Sequence, residues 1–411
     1  MNKIKSLLLY SAAAVFALTS CDDDDDDDNG GNNDTSGNII KTGEITSDET
    51  WSTGNVYELD GRVTVTGGAT LTIEPGVIIK GQAGSAANAS ALLIARDGMI
   101  MAEGTAAEPI IMTSVADEIE PGMISSPNLD PGLSGFWGGL IVLGEAPISA
   151  SQSPIQIEGI PVSDQNGLYG GSDAADNSGV IRYVSVRHGG SNIGAGNEIN
   201  GITLGGVGTG TVIENVEVVA NQDDGIEWFG GTVNVTNALV WNAGDDGMDT
   251  DQDWIGTCDN FLVVNAGDSS FELDGPEGSS ASGNNHRFTN GTVFLGGSNS
   301  PLDVDDDTNV DIDGVYFFGF NNPGQEAEDV DENSNSFINF EYTFPATYDD
   351  DDDGDTPEVP WTVAATDVFV GVPAAELSEV SANGNTVGPQ SQAGFEWTWA
   401  STSGALSGLG L

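Results

Sequence analysis

Between residues 211 and 274, apolar and polar positions recur as whole units rather than as a helical stripe. The unit openings NVEVV, NALVW and NFLVV begin at Asn215, Asn237 and Asn260, spacings of 22 and 23 residues, and the acidic turns at Asp223, Asp245 and Asp268 keep the same intervals. Each unit holds two or three short β-rich runs parted by Gly, Asn and Asp turns. A unit this short cannot bury its own apolar face, so it must stack on its neighbours. The pattern predicts an all-β fold, a right-handed single-stranded parallel β-helix with coils of about 22 residues, each coil adding one strand to each of about three parallel sheets. An antiparallel sandwich would need hairpin turns and gives no reason for whole units to repeat, and propeller blades need about 40 residues.

Strand-rich sequence begins near Ile45. GRVTVTGGATLTIEPGVIIKG (61–81) and ASALLIARDGMIMAEGTAAEPIIMTS (89–114) put Gly76 and Gly98, again 22 apart, at turns between apolar runs. Residues 115–136 and 145–177 break the period with Pro, Gly and Ser and are expected to be loops leaving the coils. Long loops on a rigid solenoid often form its binding face, and Phe136, Trp137 and Tyr169 are the aromatics here, set either to meet a ligand or to plug gaps beside the coil. Coils resume at Val180 and lose register near Asn321, which bounds the helix at 45–345. Residues 346–411, with an aspartate run at 349–353 and Trp361, Trp397 and Trp399, are expected to cap the last coil or pack along its side, the tryptophans packing there or stacking on sugar rings.

Charge narrows the partners. Sixty-five acidic residues against nine basic ones give a formal charge of -56 over 411 residues. That field repels nucleic acid and anionic lipid, and it destabilises the compact state unless salt or bound cations screen it. The densest cluster is Asp245, Asp246, Asp249, Asp251 and Asp253; one coil earlier lie Asp223, Asp224 and Glu227, and one coil later Asp268, Glu272 and Asp274. Stacked about 4.8 Å apart, equivalent residues form an acidic stripe that needs hydration, cations or raised pKa values. Ca2+ is the natural counterion, being a hard ion that prefers oxygen. The candidate ligands are Asp223, Asp245, Asp246, Asp249, Asp251, Asp305 and Asp307; the other reading is a solvated acidic face.

The N-terminus carries an address. MNKIKSLLLYSAAAVFALTSC has Lys3 and Lys5 ahead of a short apolar run, the form of a signal peptide over 1–20. Leu18-Thr19-Ser20-Cys21 resembles the lipobox of bacterial lipoproteins, in which the cysteine carries the lipids. Asp22 to Asp28 and the Gly/Asn-rich stretch after them read as a flexible tether over 21–44. An acidic run directly after the lipidated cysteine resembles the export signal of Bacteroidota-type surface lipoproteins. The resemblance implies attachment to outer-membrane lipid through Cys21, facing the cell exterior. Cys258 is then left without a partner in its chain and is expected to be a buried small side chain.

LTIEPG (71–76) and IMAEGT (100–105) resemble the N-terminal coils of surface β-helix proteins of the pectin-lyase-like superfamily, which implies the fold. Gln222-Asp223-Asp224 and Gly244-Asp245-Asp246 resemble the acidic pair of that superfamily's polygalacturonases, but the Gly-His-Gly and Arg-Ile-Lys segments of those enzymes are absent. Lyases of this fold use Ca2+ and an Arg or Lys base, and Arg187 beside His188 is the only basic pair in the coils. An enzyme would therefore draw on Asp223, Asp245, Asp246 and Arg187. The leading expectation is a non-catalytic binding or adhesion module for glycan or protein, with a polysaccharide lyase or hydrolase and a structural acidic coat protein as alternatives. Nucleophilic triads, phosphate loops and zinc sites find no support in the residues present.

Overall fold

A computed structural model describes residues 37–84, 89–191, 199–278, 282–305, 307–330, 335–349 and 359–411. The expected signal peptide over 1–20, Cys21, the aspartates that follow it and most of the 349–353 run lie outside the described residues. The chain winds as a right-handed parallel β-helix in which every coil contributes to three sheets. In one coil, residues 212–214 join the first sheet, 216–219 the second, and Ile226–Phe229 the third; the next coil repeats this at 235–236, 238–241 and Met248–Asp251.

The corner between first and second sheets is a single residue in the left-handed region. Asn215, Asn237, Asn260 and Asn290 take it with φ of 57°, 59°, 59° and 58°. Asparagine suits the position because its short amide tolerates this backbone and reaches one coil along. The Nδ2 of Asn237 donates to Asn215 Oδ1 at 3.0 Å, and that of Asn260 to Asn237 Oδ1 at 2.6 Å. The inward side is a ladder of apolar residues, which in the second sheet runs Tyr57, Ile79, Met112, Val186, Val218, Val240, Val263, Val293, Phe317, Tyr342. Branched side chains fill the narrow interior, and one apolar core extends from Ile45 to Val372.

The ends and the N-terminal coils differ from the sequence reading. The first strand, Ile39–Ile45, starts upstream of the expected boundary and pairs with Val56–Val65 mostly through its backbone, its side chains being largely exposed and so giving no apolar pattern. At the other end Leu377–Glu379, within the expected appendage, pairs in parallel with Phe340–Tyr342 and adds a strand to the second sheet. Register joins Thr70 to Met99 and Ile78 to Ile111, so Gly98 precedes a first-sheet strand and Gly76 a second-sheet strand. Their spacing of 22 is not a coil repeat, because extra residues between 81 and 92 lengthen that coil and glycine serves corners of every kind.

Three pieces of chain cover the outside, the first being residues 115–136, where Ile119 packs on Ile78 and Ile111 and Arg187 donates to Ile124 O. Residues 145–177 lie over the third sheet, where Ile157, Ile160 and Tyr169 pack on Leu93, Ile141, Leu143 and Phe229. Residues 385–411 run back along the second sheet. There the outward ladder Ser185, Glu217, Leu239, Leu262, Thr292, Tyr316, Glu341 holds the returning chain at three points. Glu341 accepts from the Thr386 N–H at 2.6 Å, Thr292 donates to Pro389 O at 2.9 Å, and Glu217 accepts from the Trp399 and Ala400 N–H groups at 3.1 and 2.9 Å. Trp397 and Trp399 are buried in this seam. Trp137 and Tyr169 are buried too, so they plug gaps and do not form a binding face, while Phe136 keeps partial exposure beside His188.

Candidate functional site

The outward face of the third sheet changes character along the helix axis. Its register runs Leu93, Ile141, Thr203, Glu227, Asp249, Glu272, Asp303. The apolar end sits beneath the 145–177 insertion, and the acidic end begins at the insertion's edge, where Glu158 and Ser149 still reach the neighbouring residues Asn200 and Gln252. Carboxylates on adjacent parallel strands lie about 4.8 Å apart, and two charges at that distance repel by roughly 3 kcal/mol at an effective dielectric near 20. Four in a row therefore stay ionised together only with a counterion.

The turn before each strand adds a second acidic row with a backbone task. Asp224 Oδ1 accepts the N–H of Asp246 at 2.9 Å, and Asp246 Oδ1 accepts that of Ser269 at 2.6 Å, so each aspartate satisfies a donor in the following coil. Each carboxylate has a second oxygen beyond that bond. Oxygen atoms of Asp224, Glu227 and Asp249, all buried, lie within 4.8 Å of one another. Asp223, Asp224 and Asp245 form a more open group of the same size, and Asp303, Asp305 and Asp329 another.

Burial, reinforced by neighbouring carboxylates, holds Asp224, Glu227 and Asp249 well above the usual carboxylate range. Burial likewise pushes Asp246 and Asp251 up to about 7, Glu272 and Asp274 to about 8, and Asp303 to about 6. Within the row carboxyl lies against carboxyl, Glu227 by Asp249, Glu272 by Asp246 and Asp274 by Asp305. No cation helps. Every described lysine and arginine is engaged elsewhere: Lys41 with Glu49, Arg62 with Asp164, Lys80 with Asp117 O, Arg96 with Glu145, Arg182 with Glu103 and Glu214, Arg187 with Glu217, and Arg287 with Asp311.

The walls are polar and acidic. Asn200, fully buried, donates from Nδ2 to Glu227 and, at 3.4 Å, to Glu158 of the insertion, while its Oδ1 has no hydrogen-bond partner. Gln252 donates to Glu277 at 2.8 Å, which brings the loop after Asp274 against the same cleft. The arrangement offers hard oxygen ligands and carboxyl groups that exchange protons near neutral pH. It offers no arginine or lysine.

Of the residues singled out in the sequence, Asp223, Asp245, Asp246, Asp249 and Asp251 all belong to this cleft. Asp305 lies further along with Asp303 and Asp329, and Asp307 is an exposed turn residue with φ of 69°. Arg187 is elsewhere. It points outward from the second sheet, fully buried, 3.5 Å from Glu217, with its guanidinium 5.0 Å from the Trp399 ring centre. As the candidate base of a lyase it is displaced by this seal, since nothing reaches it without moving the C-terminal segment. Asp224 and Glu227 complete the most buried trio, with Glu272 on the next strand, and stand outside the seven ligand candidates that the sequence offers. Aligning Ile226 with Met248 and Phe271 would have found Glu227, Asp249 and Glu272, which follow those residues at the same outward position.

No curated protein and no solved structure gives a significant match to the chain. The family model described as a pectate-lyase-like beta helix domain matches residues 43–304, more than half of the 411 residues. The match covers the strand stack and the acidic cleft as far as Val304, and the chain belongs to the pectate-lyase-like β-helix family.

Proposed function

We propose that the protein is a surface-displayed, lipid-anchored binding module whose acidic cleft holds Ca2+ and contacts a glycan or protein ligand. The observation that carries this reading is the buried trio Asp224, Glu227 and Asp249, gathered within 4.8 Å with every described lysine and arginine engaged elsewhere. The donor set fits the ion: all ligands are carboxylate oxygens, and the unpartnered Oδ1 of buried Asn200 adds a neutral oxygen beside Glu227. Bound Ca2+ would neutralise the row and leave coordination positions for hydroxyl or carbonyl oxygens of a ligand.

Calorimetric titration of Ca2+ into chelated protein spanning residues 38–411 tests this, with Mg2+ as control. Saturable binding of one or two ions and a clear rise in melting temperature are expected, both lost in Asp249→Asn. Equal and non-saturating effects of Ca2+ and Mg2+ would leave only a solvated acidic face. The anchor is tested separately: Cys21→Ser should move the protein from the membrane to the soluble fraction, and protease added to intact cells should degrade the parent protein if it faces outward. Self-association without any ligand would favour the acidic coat.

A second reading, polysaccharide cleavage, draws on the neighbouring carboxyls of Asp246 and Glu272 in the same cleft, both raised by burial. An acid and a base carboxyl are what inverting hydrolysis needs. Release of reducing ends from a polysaccharide, lost in Glu272→Gln, would establish it.

A further inference from the structure

The 145–177 insertion meets the coils along two edges of opposite character. Over the first coils its contacts are cationic: Arg62 pairs with Asp164, and Arg96 donates to Gly170 O at 3.0 Å and lies 3.9 Å from Glu145. The other edge meets the acidic row. There Glu158 of the insertion and Glu227 of the third sheet both accept from Nδ2 of Asn200, so the two carboxylates face one another across a single neutral amide.

The backbone that carries Glu158 is fixed. Ile157 and Ile160, on either side of it, are buried in a cluster with Ile141, Leu143 and Phe229, and the Ile155–Gln156 strand pairs with Leu168–Tyr169 just before it. Apolar packing therefore draws this edge down onto the sheet while like charge at Glu158 and Glu227 pushes it off. Around Glu227 the crowding is greater still. Oxygens of Asp224 and Asp249 lie within 4.8 Å of it, beside the fully buried Asn200, whose Oδ1 has no hydrogen-bond partner. A cation among these groups turns the repulsion into attachment, and a hard ion that takes about six to eight oxygens has room for a ligand from the insertion beside three from the coils.

We infer that Glu158 is a ligand of the ion in the acidic cleft, and that binding of the ion fastens this edge of the insertion to the third sheet. The inference rests on the Ca2+ reading of the cleft and adds a conformational consequence to it. An ion that takes ligands from two pieces of chain binds their docked arrangement in preference to any other, and so shifts the equilibrium towards docking. The insertion is closed where Ca2+ is plentiful and loosens over Ile157 and Ile160 where it is scarce.

The test is hydrogen exchange of the full chain at pH 8, read by mass spectrometry in peptides covering 155–170, in chelator, in Ca2+ and in Mg2+ at one ionic strength. Ca2+ should slow exchange there by about tenfold and Mg2+ should not, with the Val56–Val65 strand as an internal control that does not respond. Glu158→Gln should give a crossing. With the repulsion removed, its insertion should exchange more slowly than the parent's in chelator; with a ligand removed, more quickly than the parent's in Ca2+. A merely structural role would move both rates the same way. Calorimetry should show Ca2+ affinity lowered about tenfold in Glu158→Gln with the stoichiometry unchanged. Suppose instead that Ca2+ binds saturably and Asp249→Asn abolishes it, yet Glu158→Gln keeps full affinity or exchange in 155–170 is the same with and without Ca2+. Either result would overturn this inference and leave the Ca2+ cleft standing. Absence of saturable Ca2+ binding by the parent protein would overturn both.

Discussion

Arg187 and Glu217 sit on adjacent strands of the second sheet, 3.5 Å apart and both wholly buried. The carboxylate that holds the guanidinium also accepts from Ser185 Oγ and from two backbone N–H groups of the C-terminal segment, 182 and 183 residues further on. A pair formed within the coils therefore depends on the end of the chain to exclude water from it.

Removing one partner should be costly. Glu217→Ala leaves Arg187 buried without its carboxylate and orphans the Trp399 and Ala400 donors. We expect a loss of about 3–5 kcal/mol in stability, measured by denaturant unfolding. Limited proteolysis should then cut within 385–411 before it cuts the coils.

The acidic cleft should make stability pH-dependent in an unusual direction. Its carboxyls titrate at about 6 to 8 in the folded chain, for Asp303, Asp246, Asp251, Glu272 and Asp274, against about 4 when unfolded. The folded state then holds more protons between those limits, so the contribution is fully present below about pH 4 and is lost as pH rises through 6 to 8. In chelator the melting temperature attributable to this cleft should fall from pH 5 to pH 8. Excess Ca2+ should remove most of that fall. A flat profile in chelator would refute the assigned shifts.

The corner residues offer a test of backbone strain. Asn237 has φ of 59° and bonds its neighbours Asn215 and Asn260. Asn237→Ala and Asn237→Gly both lose those bonds, but only alanine pays the steric cost of the left-handed backbone. The alanine variant should be the less stable by about 1 kcal/mol, read as a difference in unfolding midpoint.

Cys258 lies wholly inside the helix, and burial raises its thiol pKa. In protein spanning residues 38–411 it is the sole thiol. Ellman's reagent should not react with it in native buffer at pH 8 and should react fully once the coils are unfolded. Prompt reaction of the native protein would mean that the coil opens locally.

The fold was legible because a β-helix writes its period into the chain: Asn215, Asn237 and Asn260 recur since each turns the same corner, and the apolar runs after them recur since each fills the same cross-section. Legibility failed where coil length changed. Gly76 and Gly98 share a spacing but not a corner, and Ser185 meets Glu217 across 32 residues, outside any regular repeat. Acidity was visible at once in Asp245, Asp246 and Asp249, yet composition could not separate aspartates that cap the next coil's backbone from those that face one another across the third sheet.

By itself, then, the sequence determined the repeat, the parallel stacking that follows from it and the side of the helix that carries the acid, because these depend on local turn chemistry and on alternation along short strands. Only the tertiary structure decided that Glu227, Asp249 and Glu272 stand in one row, that Arg187 is sealed beneath Trp399, and that Glu379 ends a ladder of core residues. Those relations are set by register between coils and by the path of the returning C-terminus, and insertions of irregular length shift both without leaving a periodic mark in the chain.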